Sequence, residues 1–153
     1  MANFKRILLA TDFSETSTCA VEHAILMAQT FKADLHVLHV LESETPLMMD
    51  GIAYLPPSYF EEVEKQAAEK LEAVISRNDR DKLSVTLVMR RGAAFLEIIR
   101  YARDQKMDLI VLGTHGRGAL THVLLGNVAE KVVRHAPCPV LTIRHPQHQF
   151  VMP

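Results

Sequence analysis

The chain has 153 residues, of which 48% are hydrophobic and 23% are charged, with 17 basic and 18 acidic residues and a formal net charge of −1. This composition is that of an ordinary globular protein and excludes a disordered chain. The balanced charge gives no bulk field that would recruit nucleic acid or an anionic membrane. The length favours a single domain over residues 1–153.

Two cysteines, Cys19 and Cys138, lie in unrelated sequence settings, a pattern that fits neither a disulfide framework nor paired zinc ligands. The first apolar run, Ile7–Ala10, is too short for a signal peptide or for a membrane span, which needs about 20 apolar residues. We therefore expect reduced thiols and a soluble protein of the cytoplasm.

Five short apolar runs are nearly continuous rather than alternating, which is typical of strands covered on both faces of a parallel sheet. In chain order they are Ile7–Ala10, Leu35–Leu41, Val85–Met89, Leu109–Leu112 and Val140–Ile143. The stretches between them repeat apolar residues at helical spacing, so helices and strands are predicted to alternate. Right-handed crossovers then give a single doubly wound α/β sheet of five parallel strands in the order 3-2-1-4-5, with helices on both faces.

Capping residues predict where three of the helices begin. Ser14 is placed to cap the first helix, and Ser58 with Glu61 forms a capping box for the second. Asn127, with Glu130 three residues later, has the same arrangement before the fourth helix. The apolar face of the second helix is predicted to consist of Phe60, Val63, Ala67, Leu71 and Val74.

One connection, Glu42–Pro57, is longer than those of compact domains, and such long loops are usually functional or mobile. It carries several apolar side chains, among them Leu47, Met48 and Ile52. Two interpretations stay open for this segment. It is a lid over a site or part of a partner interface, or it is a loop packed against its own domain.

Ligands of open α/β sheets bind beyond the carboxyl ends of the strands, at the point where the strand order reverses. The first strand, which flanks that point, is followed by Thr11, Asp12, Phe13 and Ser14. A carboxylate at Asp12 can accept hydrogen bonds from ribose hydroxyls or help to hold a metal ion. The alternative is that Asp12 and Ser14 only turn the chain and cap the helix.

The fourth strand, on the other side of that point, is followed by Gly113, Gly116 and Gly118, and later by Gly126. Backbone N–H groups of a glycine-rich segment beside a helix N-terminus form an anion site, although a tight turn without a ligand needs the same residues. Known phosphate loops do not fit. The chain has no Gly-Lys pair for a Walker A loop, and no glycine follows the first strand as the dinucleotide fingerprint requires.

Taken together, these segments resemble the universal stress protein family. Ile7–Ser14 resembles the family's first strand and turn, and Leu38–Val40 resembles the end of its second strand. Gly113 and Gly116, followed after nine residues by Gly126, match the glycine spacing of the ATP-binding members.

The resemblance implies a site for ATP, with or without Mg²⁺. Asp12 would lie near the ribose, Val40 would line the adenine pocket, and the residues from Gly126 would close the phosphate end. The full predicted set is Thr11, Asp12, Val40, Leu112, Gly113, His115, Gly116, Arg117, Gly126, Asn127 and Val128. No catalytic residue is assigned, and any ATP hydrolysis is expected to be slow because hydrolysis needs a positioned water and stabilised charge.

The chain departs from the ATP-binding pattern at Asn127, where that pattern has serine or threonine. Losing one hydrogen bond to a charged group, about 1.5–3 kcal/mol, would weaken affinity about tenfold or somewhat more. The resemblance also implies a homodimer paired along the last strand, and Pro139 at its start suits a sheet edge. The alternative function is therefore a dimeric protein-interaction module with a weak or vestigial nucleotide site. A metal site using His115 and His122 is disfavoured by their spacing.

Overall fold

The protein is described from a computed structural model, which covers residues 3–42, 47–48, 51–52, 55–115 and 125–146. In chain order its elements are β1 (Arg6–Ala10), α1 (Glu15–Phe31), β2 (Asp34–Leu41), β3 (Leu47–Met48), β4 (Gly51–Ile52), α2 (Pro57–Val74), α3 (Arg77–Arg80), β5 (Val85–Arg91), α4 (Ala94–Asp104), β6 (Leu109–Gly113), α5 (Asn127–His135) and β7 (Val140–Ile143). Within these ranges no helix is both long and apolar enough to cross a membrane.

The main sheet has five parallel strands in the order β5-β2-β1-β6-β7. The third, second, first, fourth and fifth predicted strands therefore stand side by side, and the predicted doubly wound topology is confirmed. The last strand, β7, lies at one edge of the sheet. Pro139, which directly precedes it, had indicated an edge position.

Helices cover both faces of this sheet. Successive side chains of a strand point to opposite faces, so one strand contributes to the core on each side. Ile7 and Leu9 of β1 pack into a core on the face covered by α1 and α2. Leu8 and Ala10 of the same strand pack into a second core, on the face covered by α4 and α5. Burial on both faces explains why the strand reads as a continuous apolar run.

The predicted helix starts are right at α1 and wrong at two other helices. Ser14 caps α1 by accepting a hydrogen bond from the Ser17 N–H at 3.3 Å. No capping box forms at Ser58, because α2 already begins at Pro57, whose fixed φ suits a first helical position. Asn127 is likewise the first residue of α5 rather than its cap, since Gly126 takes the extended cap conformation.

The predicted apolar face of α2 is buried only in its C-terminal half. Ala67 and Leu71 are buried, whereas Phe60 and Val63 are 45% and 38% exposed. Helical periodicity identifies a face, but it carries no information on where along its length a helix meets the sheet.

The long connection after β2 is partly described. Its strands β3 and β4 pair antiparallel, with Leu47 opposite Ile52. The first residue of the connection, Glu42, accepts a hydrogen bond from the Ala94 N–H at 3.0 Å, and its carboxylate thereby caps α4 from a distant part of the sequence. The interpretations of this connection as a lid, an interface or a packed loop concern residues that lie largely outside the described ranges.

Candidate functional site

The ends of β1 and β6 meet at the carboxyl edge of the sheet, where the strand order reverses. The two strands are parallel neighbours, and the chain leaves β1 towards α1 on one face and β6 towards α5 on the other. A Cβ atom at Gly113 would lie 2.9 Å from the carbonyl carbon of Thr16, closer than real Cβ atoms approach other atoms. Only glycine therefore allows the end of β6 to press against the first turn of α1.

The turn after β1 is held by hydrogen bonds within the turn. The Asp12 carboxylate accepts the Ser14 N–H at 3.0 Å, and the Thr11 hydroxyl accepts the Phe13 N–H at 3.1 Å. The predicted turn-forming role of Asp12 is thus present in the structure. A carboxylate offers about four acceptor positions, so this role is compatible with further donors from a ligand.

The N-terminus of α5 is fixed against the end of β6 by Thr114. This residue is 2% exposed, its N–H donates to the Ile143 carbonyl at 2.9 Å, and its carbonyl accepts the Gly126 N–H at 2.6 Å. Gly126 caps α5 and has no side chain that could satisfy the first helical N–H groups. The positive end of the α5 dipole is therefore held at the carboxyl edge, where it favours an anion.

Apolar side chains border this edge on the α4 and α5 face. Leu112 is buried in the core of that face, and Val40 and Val128 pack against it while remaining partly exposed. Phe95, in the first turn of α4, belongs to the same group and lies under the Lys131 ammonium at 4.6 Å from the ring centroid. An apolar wall and a helix N-terminus thus lie at the same edge.

The structure brings most of the predicted site residues to this edge. Those described there are Thr11, Asp12, Val40, Leu112, Gly113, His115, Gly126, Asn127 and Val128. The His115 ring contacts its neighbour Thr114, with 2.9 Å between Nδ1 and the hydroxyl oxygen. Asn127 is exposed. Gly116, Arg117 and His122 lie outside the described residues.

Sequence reasoning missed the supporting residues Thr16, His39 and Thr114. The available signal for His39 was a histidine within the apolar run of β2, and the structure shows that it is 8% exposed. Thr16 and Thr114 carry no such signal, because their roles come from a close approach and from backbone hydrogen bonds that only the fold creates.

Three groups with shifted pKa values lie away from this edge. Burial lowers the pKa of His36, near the amino end of β2, whose Nδ1 lies 2.7 Å from the Tyr101 hydroxyl. Burial also raises the pKa of the Tyr101 hydroxyl. Burial raises the pKa of the Cys138 thiol as well, and the nearby Asp108 carboxylate raises it further. A shallow depression lined by Glu15, Thr18, Cys19 and His145 lies beside α1.

Comparison with known proteins gives matches over almost the whole chain. A model of the universal stress protein family matches residues 3–144. A universal stress protein of Thermus aquaticus is 37% identical over 92% of this chain and 99% of its own length. Universal stress protein MJ0531 of Methanocaldococcus jannaschii is 32% identical over 95% of this chain and 85% of its own.

Solved structures share the fold. The structure of protein MJ0577 matches with a TM-score of 0.79 and 27% identity, over 95% of this chain and 99% of its own. A universal stress protein in complex with cAMP matches with a TM-score of 0.59 and 22% identity, over 93% and 98% of the two chains. One from Archaeoglobus fulgidus in complex with dAMP matches at 0.62 and 17%, over 93% and 99%.

Proposed function

The chain belongs to the universal stress protein family, and we propose that it is a cytoplasmic stress-response regulator that binds adenine nucleotide, foremost ATP, at the carboxyl edge of its sheet. The observation that carries the proposal is the hydrogen bond from the Gly126 N–H to the Thr114 carbonyl. It holds the α5 N-terminus against the end of β6, beside the turn that carries Asp12. The α5 N-terminus, which favours an anion, and the Asp12 carboxylate therefore lie at the same edge of the sheet.

The phosphates are proposed to lie at the N-terminus of α5. Helix N-termini favour anions through their N–H groups and their dipole. The other helix that begins near this edge on the same face, α4, is already capped by the Glu42 carboxylate. This negative charge disfavours a phosphate there and directs it to α5. Asn127, exposed in the first turn of α5, is proposed to donate its amide to a phosphate oxygen.

The nucleoside is proposed to extend from α5 towards the end of β2. Asp12 supplies acceptors for ribose hydroxyls, while Val40 and Val128 supply an apolar surface for the base. Two proteins of the same fold are known in complex with cAMP and dAMP, which supports an adenine nucleotide as the ligand.

Mg²⁺ would bind mainly to the phosphates, as it does in most nucleotide sites, while the Asp12 carboxylate stays with the ribose hydroxyls. The same carboxylate accepts the Ser14 N–H, so it is held in the turn rather than aimed as a base at a water molecule. We therefore propose a binding protein in which any hydrolysis is slow.

Titration calorimetry with ATP and Mg²⁺ tests the proposal, with mass spectrometry of the small molecules released on denaturation. Asp12→Asn keeps an oxygen for the Ser14 N–H but loses the charge, and we expect about tenfold weaker binding. The matched control is Glu15→Gln, a nearby carboxylate whose side chain is 92% exposed. We expect it to bind within about twofold of wild type, since exposed charges contribute little. No heat at millimolar ATP contradicts the proposal.

A second candidate function is a dimeric interaction module, favoured by the position of β7. This strand forms a sheet edge, and Val140 and Leu141 in it are only partly buried. Pairing of two copies along β7 would bury these residues and satisfy the backbone groups of the edge. Sedimentation at micromolar concentration tests it. A dimer that forms equally with and without ATP favours this candidate, whereas a monomer contradicts it.

A further inference from the structure

We infer that His39 is a positioning residue of the candidate site: its imidazole fixes the Thr11–Ser14 turn that presents Asp12. The importance of this turn for a ligand rests on the proposed function. The conformation of the turn, and the part that His39 plays in it, stand on the described contacts alone.

The turn contains a conformation that its sequence does not favour. Phe13 has a φ of 64°, in the left-handed region that bulky residues rarely adopt. Backbone of this kind persists only where its surroundings determine it fully. The conformation matters because Phe13 directly follows Asp12, so the path of the chain at Phe13 sets the direction of the Asp12 carboxylate.

The hydroxyl and N–H groups of Thr11 are engaged within the protein. Its N–H donates to the Leu38 carbonyl at 3.0 Å, which continues the pairing of β1 with β2. Its hydroxyl oxygen accepts the Phe13 N–H and lies 3.1 Å from the Ser17 hydroxyl. Because Ser17 donates its own hydroxyl hydrogen to the Ser14 carbonyl, Thr11 is the donor to Ser17. These contacts tie the turn to the first turn of α1.

His39 restrains the turn on both sides of Asp12. Its Nδ1 lies 2.9 Å from the Thr11 carbonyl, which precedes Asp12, and its ring centroid lies 4.3 Å from that of Phe13, which follows it. A carbonyl oxygen only accepts, so Nδ1 carries the hydrogen. One buried side chain of β2 thus contacts both the first carbonyl after β1 and the aromatic ring of the residue with the left-handed conformation.

An apolar residue would fill this buried position as well as histidine does, and the neighbouring residues of β2 are apolar. An apolar residue, however, would leave the Thr11 carbonyl without the Nδ1–H donor of His39. Buried polar groups without partners are costly, so a turn without the His39 donor is expected to rearrange. The structure thus gives a specific reason for a histidine here.

Two isosteric substitutions separate positioning from packing. The amide nitrogen of asparagine can occupy the place of Nδ1, whereas that of glutamine reaches the place of Nε2. Both remove the ring that packs against Phe13, so we expect His39→Asn and His39→Gln to lower stability alike. We expect His39→Asn to bind ATP within about threefold of wild type and His39→Gln about tenfold more weakly, because one hydrogen bond is lost.

Two NMR readouts test the inference without ATP. In wild type, the nitrogen-15 shifts of the imidazole should show a protonated Nδ1, and the Asp12–Ser14 amide signals should persist in His39→Asn but move in His39→Gln. A neutral ring protonated at Nε2 alone, or equal effects of the two variants on these signals, overturns the inference. Equal ATP affinities in the two variants also overturn it. A wild type that binds no ATP contradicts the proposed function, while the NMR readouts still decide the role of His39.

Discussion

The contact between Gly113 and Thr16 predicts a specific failure of Gly113→Ala. The added methyl carbon would lie 2.9 Å from the Thr16 carbonyl carbon and 3.0 Å from its oxygen, against an ordinary contact of 3.4–4 Å. Two of the three nearest atoms belong to the Thr16 backbone and cannot turn away, so β6 and α1 must move apart by several tenths of an ångström. Overpacking of this kind costs about 1–3 kcal/mol. For a domain of this size that corresponds to a melting temperature lower by about 2–12 °C.

The same displacement separates the two sides of the candidate site, so we expect ATP affinity to fall about tenfold. The matched control is Gly92→Ala. Gly92 has a φ of 139°, so alanine there is strained, at about 1–3 kcal/mol, but its Cβ would meet only the flexible Glu97 side chain. Gly92 lies after the edge strand β5, outside the contact of β1 with β6. Gly92→Ala should therefore lose stability while keeping ATP affinity within about twofold.

Urea unfolding and ATP calorimetry on the three proteins provide the measurements. Equal slopes of unfolding free energy against urea would show that stability, rather than the extent of unfolding, has changed. A Gly113→Ala protein with wild-type stability and affinity would refute the reasoning, because the contact would then be absent. Loss of affinity in Gly92→Ala as well would refute the assignment of the effect to the separation of β6 from α1.

Three further predictions concern capping, affinity and pH. Ser14→Ala should lower the unfolding free energy by about 1 kcal/mol, whereas Ser58→Ala should change it by less than about 0.5 kcal/mol, because only Ser14 caps a helix; urea titrations compare them. Asn127→Ser should raise ATP affinity by up to about tenfold with stability unchanged, since Gly126 is the cap; calorimetry that finds equal or weaker binding contradicts this. Burial lowers the pKa of His36, so the folded state binds fewer protons than the unfolded state. The contribution of His36 to stability is complete above pH 6.5 and is lost as the pH falls below that value. Urea unfolding over this pH range should show a smaller decline of the unfolding free energy in His36→Phe than in wild type.

The strands were predictable because burial on both faces leaves a continuous apolar run, as in β1 and β2. Helix starts were less predictable where two adjacent residues could take the cap conformation. At α5 the choice falls on Gly126 rather than Asn127, because the Gly126 N–H is fixed by the Thr114 carbonyl of another segment. Residue type at one position contains no information on such a contact.

The candidate site was predictable where the fold dictates it. Asp12 follows β1 and Gly113 ends the neighbouring strand β6, so the strand order alone places them at one edge. The role of His39 was not predictable, because it depends on the register that sets Ala10 beside Leu38 and so brings the Thr11 carbonyl within reach of the next residue of β2. The remote cap of α4 by Glu42 has the same origin, a contact between residues far apart in sequence.

An ATP titration followed by amide NMR tests most directly whether adenine nucleotide binds at the carboxyl edge between β1 and β6. We predict saturable shifts concentrated in Asp12–Ser14, at Val40, around Gly113 and at the start of α5, with little change at the amino ends of the strands. Spectra unchanged at millimolar ATP, or shifts centred on the depression lined by Thr18, Cys19 and His145, would contradict the proposed site.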